Sequence, residues 1–166
     1  LKKKTIIILP IILSFLFLLL FIYTAYKFRI EKGAVAILFV LGVCIFSDIG
    51  GYIIGKSIGG KKLTKISPNK TISGSLGSFI FALIPCFVFK IIFLFSDIYF
   101  LAFSSNLLFN ILISLFLSLI SQLGDLYISY FKRLSDIKDT GKILPGHGGL
   151  LDRIDGIIFA IPSFSI

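Results

Sequence analysis

Long apolar runs alternate with short polar segments along the chain. A transmembrane helix needs about 20 mainly apolar residues, and on this basis we assign about five spans, at residues 5–26, 34–54, 72–95, 107–130 and 153–166. Backbone polar groups must be satisfied internally in lipid, so such runs predict helices. The pattern predicts an all-α, polytopic integral membrane protein in which residues 1–166 form a single membrane domain.

Composition supports this interpretation. Of the 166 residues, 57% are hydrophobic and 15% are charged, and the mean hydropathy is +1.04, which excludes an ordinary water-soluble domain. The net charge of +9 would favour nucleic-acid binding in a soluble protein. Here the basic residues lie in the segments between apolar runs, so we expect no nucleic-acid partner. Cys44 and Cys86 lie inside apolar runs and are expected to be core residues.

Charge in the polar segments predicts the orientation of the spans. Residues 56–70 carry five lysines and residues 132–153 have a net charge of +2, whereas Asp97 is the one charged residue of residues 96–106. Short cytoplasmic loops carry the excess of Lys and Arg, and two spans separate the basic loops. Both loops are therefore predicted at the cytoplasmic face of the cell (inner) membrane, with the polar cluster 27–33 on the other side.

Three aspartates occur where lipid would disfavour a charge: Asp48, Asp125 and Asp155. A charged side chain that faces lipid at the centre of a helix costs at least ~2.5 kcal/mol. These side chains should therefore face a polar interior, a cation or a basic partner. Asp48 also fits the simpler role of an interface aspartate that pairs with a nearby lysine.

Residues 50–57 match the phosphate-binding pattern G-x-x-x-x-G-K-[ST]. That pattern requires a buried strand before it and a helix after it within a parallel sheet. Here a membrane span precedes it, and a basic loop containing Pro68 follows. We therefore reject a nucleotide-binding P-loop at this position.

The strongest chemical signal lies in residues 129–155, which combine cations, carboxylates and glycines. Asp152 and Asp125 offer the hard oxygen ligands that divalent cations prefer. Gly148 and Gly149 allow backbone amides to approach a phosphate closely. Several phosphate charges can be neutralised by the basic side chains, namely Lys132, Arg133, Lys138 and Arg153.

This stretch resembles the C-terminal signature of the phosphatidate cytidylyltransferase (CDP-diglyceride synthase) family. The family pattern is S-x-apolar-K-R, four residues, K-D-x-G, two residues, and L-P-x-H-G-G-apolar-x-D-R-apolar-D, and residues 129–155 meet every fixed position. The resemblance covers about residues 34–166. Family members are longer at the N-terminus, and since this chain has no Met we expect an N-terminally truncated member. It departs from the family at Asn69, Ile72 and Ser73, where relatives have Lys, Trp and Glu.

The resemblance implies that CMP is transferred from CTP to phosphatidate in phospholipid biosynthesis, giving CDP-diacylglycerol and pyrophosphate. It implies Mg²⁺, alone or with a second cation, bound by Asp125, Asp152 and Asp155. The implied catalytic residues are Asp125, Asp152, Lys132, Arg133, Lys138, His147 and Arg153. The implied substrate-binding residues are Ser67, Lys70, Thr71, Gly148 and Gly149. Expected partners are CTP, phosphatidate and the lipid bilayer, with a homodimer left open.

Three alternatives remain at this stage. A related CTP-dependent lipid or polyprenol kinase would use similar aspartates and basic loops. The missing Glu at Ser73 and the short tail also fit a truncated, inactive copy. A small transporter would need polar residues spread through the bilayer midplane, whereas polarity here concentrates at one face. For the enzyme we predict Asp125 and Asp152 about 4–6 Å apart on a shared metal ion.

Overall fold

The computed structural model describes residues 2–64, 67–94, 106–135, 137, 140–141 and 154–164. For residues 2–14 and 93–94 it describes the backbone only. These residues form four helices: α1 (Lys2–Ile58), α2 (Ile72–Leu94), α3 (Leu107–Leu134) and α4 (Ile157–Phe164). Pairing between extended segments in this part of the chain is limited to an isolated bridge between Lys62 and Thr71. The predicted all-α class is confirmed for the described residues.

α1 is interrupted at a single residue. Gly33 has φ 81° and ψ 175°, a conformation that glycine adopts readily and other residues avoid. Phe28, before this break, and Phe39, after it, both contact the ring of Phe164, with centroid separations of 5.4 and 6.5 Å. Eleven residues of straight helix would separate them by about 16 Å along the axis. The chain therefore bends at Gly33, and α4 packs inside the bend.

The polar cluster 27–33 differs from the sequence-based expectation of a loop. Residues 27–32 remain helical, and only Gly33 leaves the helix. Lys27 and Glu31 form an i,i+4 ion pair at 3.7 Å, a spacing that supports a helix. Phe28, which lies between Lys27 and Glu31 in the sequence, is buried. A polar cluster with helical spacing and a buried face thus continues the helix.

Among the described residues, three helices are long and apolar enough to cross a membrane: Phe15–Ile58, Ile72–Ile92 and Leu107–Leu134. The membrane class is therefore supported, but the count of about five spans is not confirmed. α2 and α3 begin at Ile72 and Leu107, the residues at which the predicted spans begin. The last predicted span contains α4, whose eight residues are too few to cross a bilayer.

Glycines bring α1 and α2 into backbone contact. A Cβ atom at Gly77 would lie 2.5 Å from the Cβ of Ile54 and 2.8 Å from the carbonyl oxygen of Gly50. A Cβ atom at Gly74 would lie 2.7 Å from the carbonyl oxygen of Gly51. Small residues allow this approach, and dispersion between closely packed helices is a main source of association in lipid. The contacts fix α1 against α2 beside the loop that joins them.

α3 packs on this pair through a polar face. Ser118 exchanges a 2.8 Å hydrogen bond with Ser47 of α1, and both side chains are buried. Gly124 of α3 lies against the ring of Phe159 in α4. The buried residues of α3 are mostly small or polar, namely Asn110, Ser114, Leu117, Ser118, Ser121 and Gly124. One face of α3 thereby holds α1 and α4 together.

We expect Gly77→Ala to destabilise the protein, because the added methyl group would overlap Ile54 and the α1 backbone. Overpacking of this kind typically costs about 1–3 kcal/mol, and thermal unfolding in detergent would show a lower Tm. The matched control is Gly42→Ala, where the new Cβ meets Pro85 at an ordinary 3.5 Å. Equal stability of the two variants would contradict the close α1–α2 contact.

Candidate functional site

A cavity of about 340 Å³ opens where the loop between α1 and α2 meets the beginning of α2 and the C-terminal half of α3. Most of its lining residues are of polar types, and they come from three helices and the loop. The lining residues are Asp48, Gly51, Tyr52, Leu63, Ser67, Asn69, Lys70, Thr71, Gly74, Ser75, Ser78, Gln122 and Asp125. The structure therefore brings Ser67, Lys70 and Thr71, predicted to bind substrate, together with Asp125, predicted to bind metal.

The loop is a tight hairpin that presents Lys70 to the cavity. Leu63 donates its amide to the carbonyl of Lys70 at 2.8 Å, next to the bridge between Lys62 and Thr71. The Lys70 amide donates to the Ser67 carbonyl at 3.1 Å, which closes the turn around Pro68. These backbone bonds fix the base of the Lys70 side chain, although the described residues of the loop form no helix or sheet of their own.

Lys70 and Asp125 form an ion pair across the cavity wall. Both side chains are partly exposed, so a ligand in the cavity can reach them. Ser129, one turn further along α3, donates to the other oxygen of Asp125 at 3.4 Å. A lysine from the first basic loop therefore neutralises the aspartate 55 residues away that was expected to bind a cation.

Asp155 lies beside Asp125, just before α4 and outside the three helices long enough to cross a membrane. It is only 9% exposed, and its carboxylate accepts a 2.9 Å hydrogen bond from the Gly156 amide. Burial, together with the nearby carboxylate of Asp125, raises the pKa of Asp155 to about 7. Lys132 approaches the other oxygen of Asp155 at 4.0 Å. Two carboxyl groups this close favour a shared proton or a shared cation.

The donor set of this pair fits a divalent cation. Asp125 and Asp155 provide carboxylate oxygens, which are the ligands that Mg²⁺ prefers. The part of the chain that the structure describes holds no group of three or more His, Cys, Asp or Glu side chains arranged to bind a metal. The third predicted ligand, Asp152, lies outside the described residues, so its distance from Asp125 stays a prediction.

Other predicted residues are placed only in part. Arg133 is exposed near the end of α3, where it donates to the Ile137 carbonyl at 3.3 Å rather than reaching the cavity. Lys132 contacts Asp155. We call these two residues, together with Lys70 and Asp125, the charged cluster. The remaining predicted residues fall outside the described part of the chain: Lys138, His147, Gly148, Gly149 and Arg153.

The structure adds cavity residues that the sequence-based site did not include. Asp48 was noted for its charge only, and it lines the cavity. The amide of Gln122 is fixed at both ends, since its oxygen accepts from Ser75 at 2.6 Å and its nitrogen donates to Ser118 at 3.2 Å. On α3 the polar residues 118, 122, 125 and 129 follow helical spacing, which is the signal that could have revealed Gln122.

Several curated bacterial proteins are similar in sequence to this chain. Phosphatidate cytidylyltransferase of Bacillus subtilis (strain 168) is 41% identical over 136 residues, covering 81% of this chain and 48% of the relative. The proteins of that name from Staphylococcus haemolyticus (strain JCSC1435) and Staphylococcus aureus (strain COL) are 44% and 42% identical over 137 residues, covering 82% of this chain and 50% of each relative. The chain thus spans about half the length of the curated relatives it matches.

The family match extends further along the chain than the individual alignments. The model of the cytidylyltransferase family matches residues 2–166, and so includes the helices, the hairpin loop and the charged cluster described above. With this coverage, the chain belongs to the cytidylyltransferase family.

Proposed function

We propose that the protein transfers CMP from CTP to phosphatidate and releases pyrophosphate, so that CDP-diacylglycerol is formed. The observation that carries this proposal is the charged cluster at the cavity. Lys70 pairs with Asp125, and Asp155 lies between Asp125 and Lys132. Cations and carboxylates alternate in one site at one end of a helical bundle. That arrangement suits a reaction between two phosphate groups.

The reaction joins two polyanions, so charge repulsion dominates its barrier. An oxygen of the phosphatidate phosphate attacks the α-phosphorus of CTP, the new O–P bond forms, and the bond to the β-phosphate breaks as pyrophosphate leaves. Lys70 and Lys132 neutralise phosphate charge and hold the two substrates close together. The chemistry that Mg²⁺ supplies when bound by Asp125 and Asp155 is further neutralisation of phosphate charge. No covalent bond to the protein is required.

Lys70 has a second role in this proposal. Without substrate it is the counter-ion of Asp125, which reduces the cost of a carboxylate near the membrane. When CTP enters, its phosphates compete for the lysine while a divalent cation competes for the carboxylate. The exchange keeps every charge compensated as the substrate binds.

The cavity is proposed to open at the cytoplasmic face of the inner membrane. The chain is a membrane protein by its apolar helices, and its relatives are bacterial. Lys56, Lys61 and Lys62 are exposed at the end of α1 beside the cavity loop. Such an excess of lysine is typical of cytoplasmic loops. A homodimer stays a prediction from the resemblance alone.

Ser73, where the resemblance implies glutamate, has a structural role here. Its hydroxyl donates to the carbonyl of Gly59 and lies 3.0 Å from the hydroxyl of Thr71, which closes the hairpin. The position therefore supports the loop that carries Lys70. With serine in place of glutamate the site has one candidate cation ligand fewer, but the hairpin is retained.

The purified protein in detergent, supplied with Mg²⁺, CTP and phosphatidate, is expected to make CDP-diacylglycerol and pyrophosphate in equal amounts. Thin-layer chromatography of labelled lipid measures the first product, and a coupled phosphate assay measures the second. Product formed only from CTP and a free lipid alcohol would favour a kinase. No turnover by folded protein would favour an inactive copy.

Asp125→Asn is expected to lower the turnover rate by about 10²–10³-fold, because the amide keeps the shape but loses the charge that binds the cation. Thermal unfolding should show that the variant still folds. The matched control is Glu31→Gln, which removes an exposed carboxylate on α1. Near-normal turnover by Asp125→Asn would exclude Asp125 as a cation ligand.

Binding of Mg²⁺ should weaken as the pH falls through 7. The raised pKa of Asp155, about 7, means that this carboxyl is mostly protonated at pH 6 and mostly ionised at pH 8. Since cation and proton compete, the Mg²⁺ concentration for half-maximal stabilisation should rise about tenfold from pH 8 to pH 6. Thermal shift titrations measure it. Asp155→Asn should abolish this pH dependence, and a wild-type value independent of pH would refute the assignment.

A further inference from the structure

Asp48 lines the cavity, yet the proposed reaction assigns no role to its carboxylate. The side chain is accessible, and its charge interacts with those of Asp125 and Lys70. With the residues that the structure describes it makes no hydrogen bond and no ion pair. Lys70, the lysine whose charge acts on Asp48, is itself in contact with Asp125. A charged acceptor inside a membrane-crossing helix requires donors from another source.

Asp48 lies deeper along α1 than the loop that carries Lys70, and both residues line the cavity. Asp48 precedes the end of α1 at Ile58 by ten residues, which is about 15 Å along the helix axis. The backbone of α1 at Gly51 touches Ser78, a residue well inside α2. Lys70 belongs to the loop between α1 and α2. A ligand that contacts both residues must extend inward from its phosphates.

The reactants offer few groups that can donate to a carboxylate. Phosphates are repelled by Asp48 and are matched by Lys70 and Lys132 instead. In phosphatidate both remaining glycerol hydroxyls are esterified, so its only donor is on the phosphate itself. CTP adds the ribose hydroxyls and the amino group at position 4 of cytosine. Of these, the amino group lies furthest from the phosphates, and Asp48 is the lining residue that lies deepest along α1.

We propose that Asp48 determines nucleotide specificity by accepting a hydrogen bond from the 4-amino group of cytosine. This inference rests on the proposed function, since it names the part of CTP that occupies the inner cavity. Tyr52 lies one helical turn after Asp48 on the same face of α1 and lines the same cavity, so its ring can cover the base. The amide of Gln122, oriented by Ser75 and Ser118, lines the same cavity.

The assignment explains how the site can distinguish cytosine from uracil. Uracil has a carbonyl oxygen where cytosine has the amino group. A carboxylate accepts a hydrogen bond from the amino group but repels the carbonyl oxygen. A binding site built around one polar partner rejects the analogue that leaves that partner unsatisfied. Asp48 therefore contributes to the affinity for the base and not to that for the triphosphate.

The test is equilibrium binding to the protein in detergent with Mg²⁺, measured by isothermal titration calorimetry. The ligands are CTP, UTP, the triphosphate of pyrimidin-2-one riboside and inorganic tripolyphosphate. Pyrimidin-2-one carries hydrogen in place of the amino group and adds no bulk. Wild-type protein should bind CTP about 10- to 100-fold more tightly than the pyrimidin-2-one nucleotide. Asp48→Ala, which removes the acceptor that asparagine would keep, should lose that preference and keep its affinity for tripolyphosphate, whereas Glu31→Gln should change neither.

Several outcomes would overturn the inference. Equal binding of CTP and the pyrimidin-2-one nucleotide by wild-type protein would do so without any variant, and hence independently of whether Asp48→Ala folds. A parallel loss of CTP and tripolyphosphate affinity in Asp48→Ala would assign Asp48 to the phosphates or their cation. Wild-type protein that binds no nucleotide would refute the proposed function as well. CTP binding with its preference retained in Asp48→Ala would refute the role of Asp48 alone.

Discussion

Carboxylates at the membrane edge need positive partners, and this requirement organises the site. Asp125 is carried by an apolar helix, and its compensation comes from Lys70 in a loop 55 residues earlier. Asp155 is compensated by Lys132 in the same way. Each pair joins separate segments of the chain, and the pair between Lys70 and Asp125 lies at the cavity. Charge compensation therefore serves stability in the membrane, and it places lysines where the proposed reaction requires them.

Close helix packing makes this charge pairing possible. The glycines of α1 and α2 let the two backbones touch, which brings the end of α1, the hairpin loop and the start of α2 into a compact unit. The loop then presents Lys70 to α3, where Gln122 and Asp125 lie on one face. The buried Ser47–Ser118 hydrogen bond fixes α3 against α1 at a deeper level. Apolar packing determines how closely the helices approach each other, and polar contacts determine how they are aligned along their axes.

The glycines of residues 50–57 show why a pattern needs its structural context. The match to a phosphate-binding loop is complete in letters, but the segment is the last part of α1. Gly50 lies against Gly77 and Phe81, and Gly55 lies against Thr71. These glycines therefore serve helix contact, and their amides are used within the helix. Phosphate binding is instead proposed for the hairpin that follows.

The sequence by itself determined the membrane class, the starts of α2 and α3 and the types of residue on which the proposed phosphate chemistry depends. These follow from local hydropathy and from a signature with fixed spacing. It did not determine that residues 27–32 stay helical, because helical spacing and the burial of Phe28 outweigh local polarity. It also did not place Asp48 and Gln122 in the cavity or pair Lys70 with Asp125. Those relations depend on how closely the helices approach and at which register, and that is decided by contacts between distant segments.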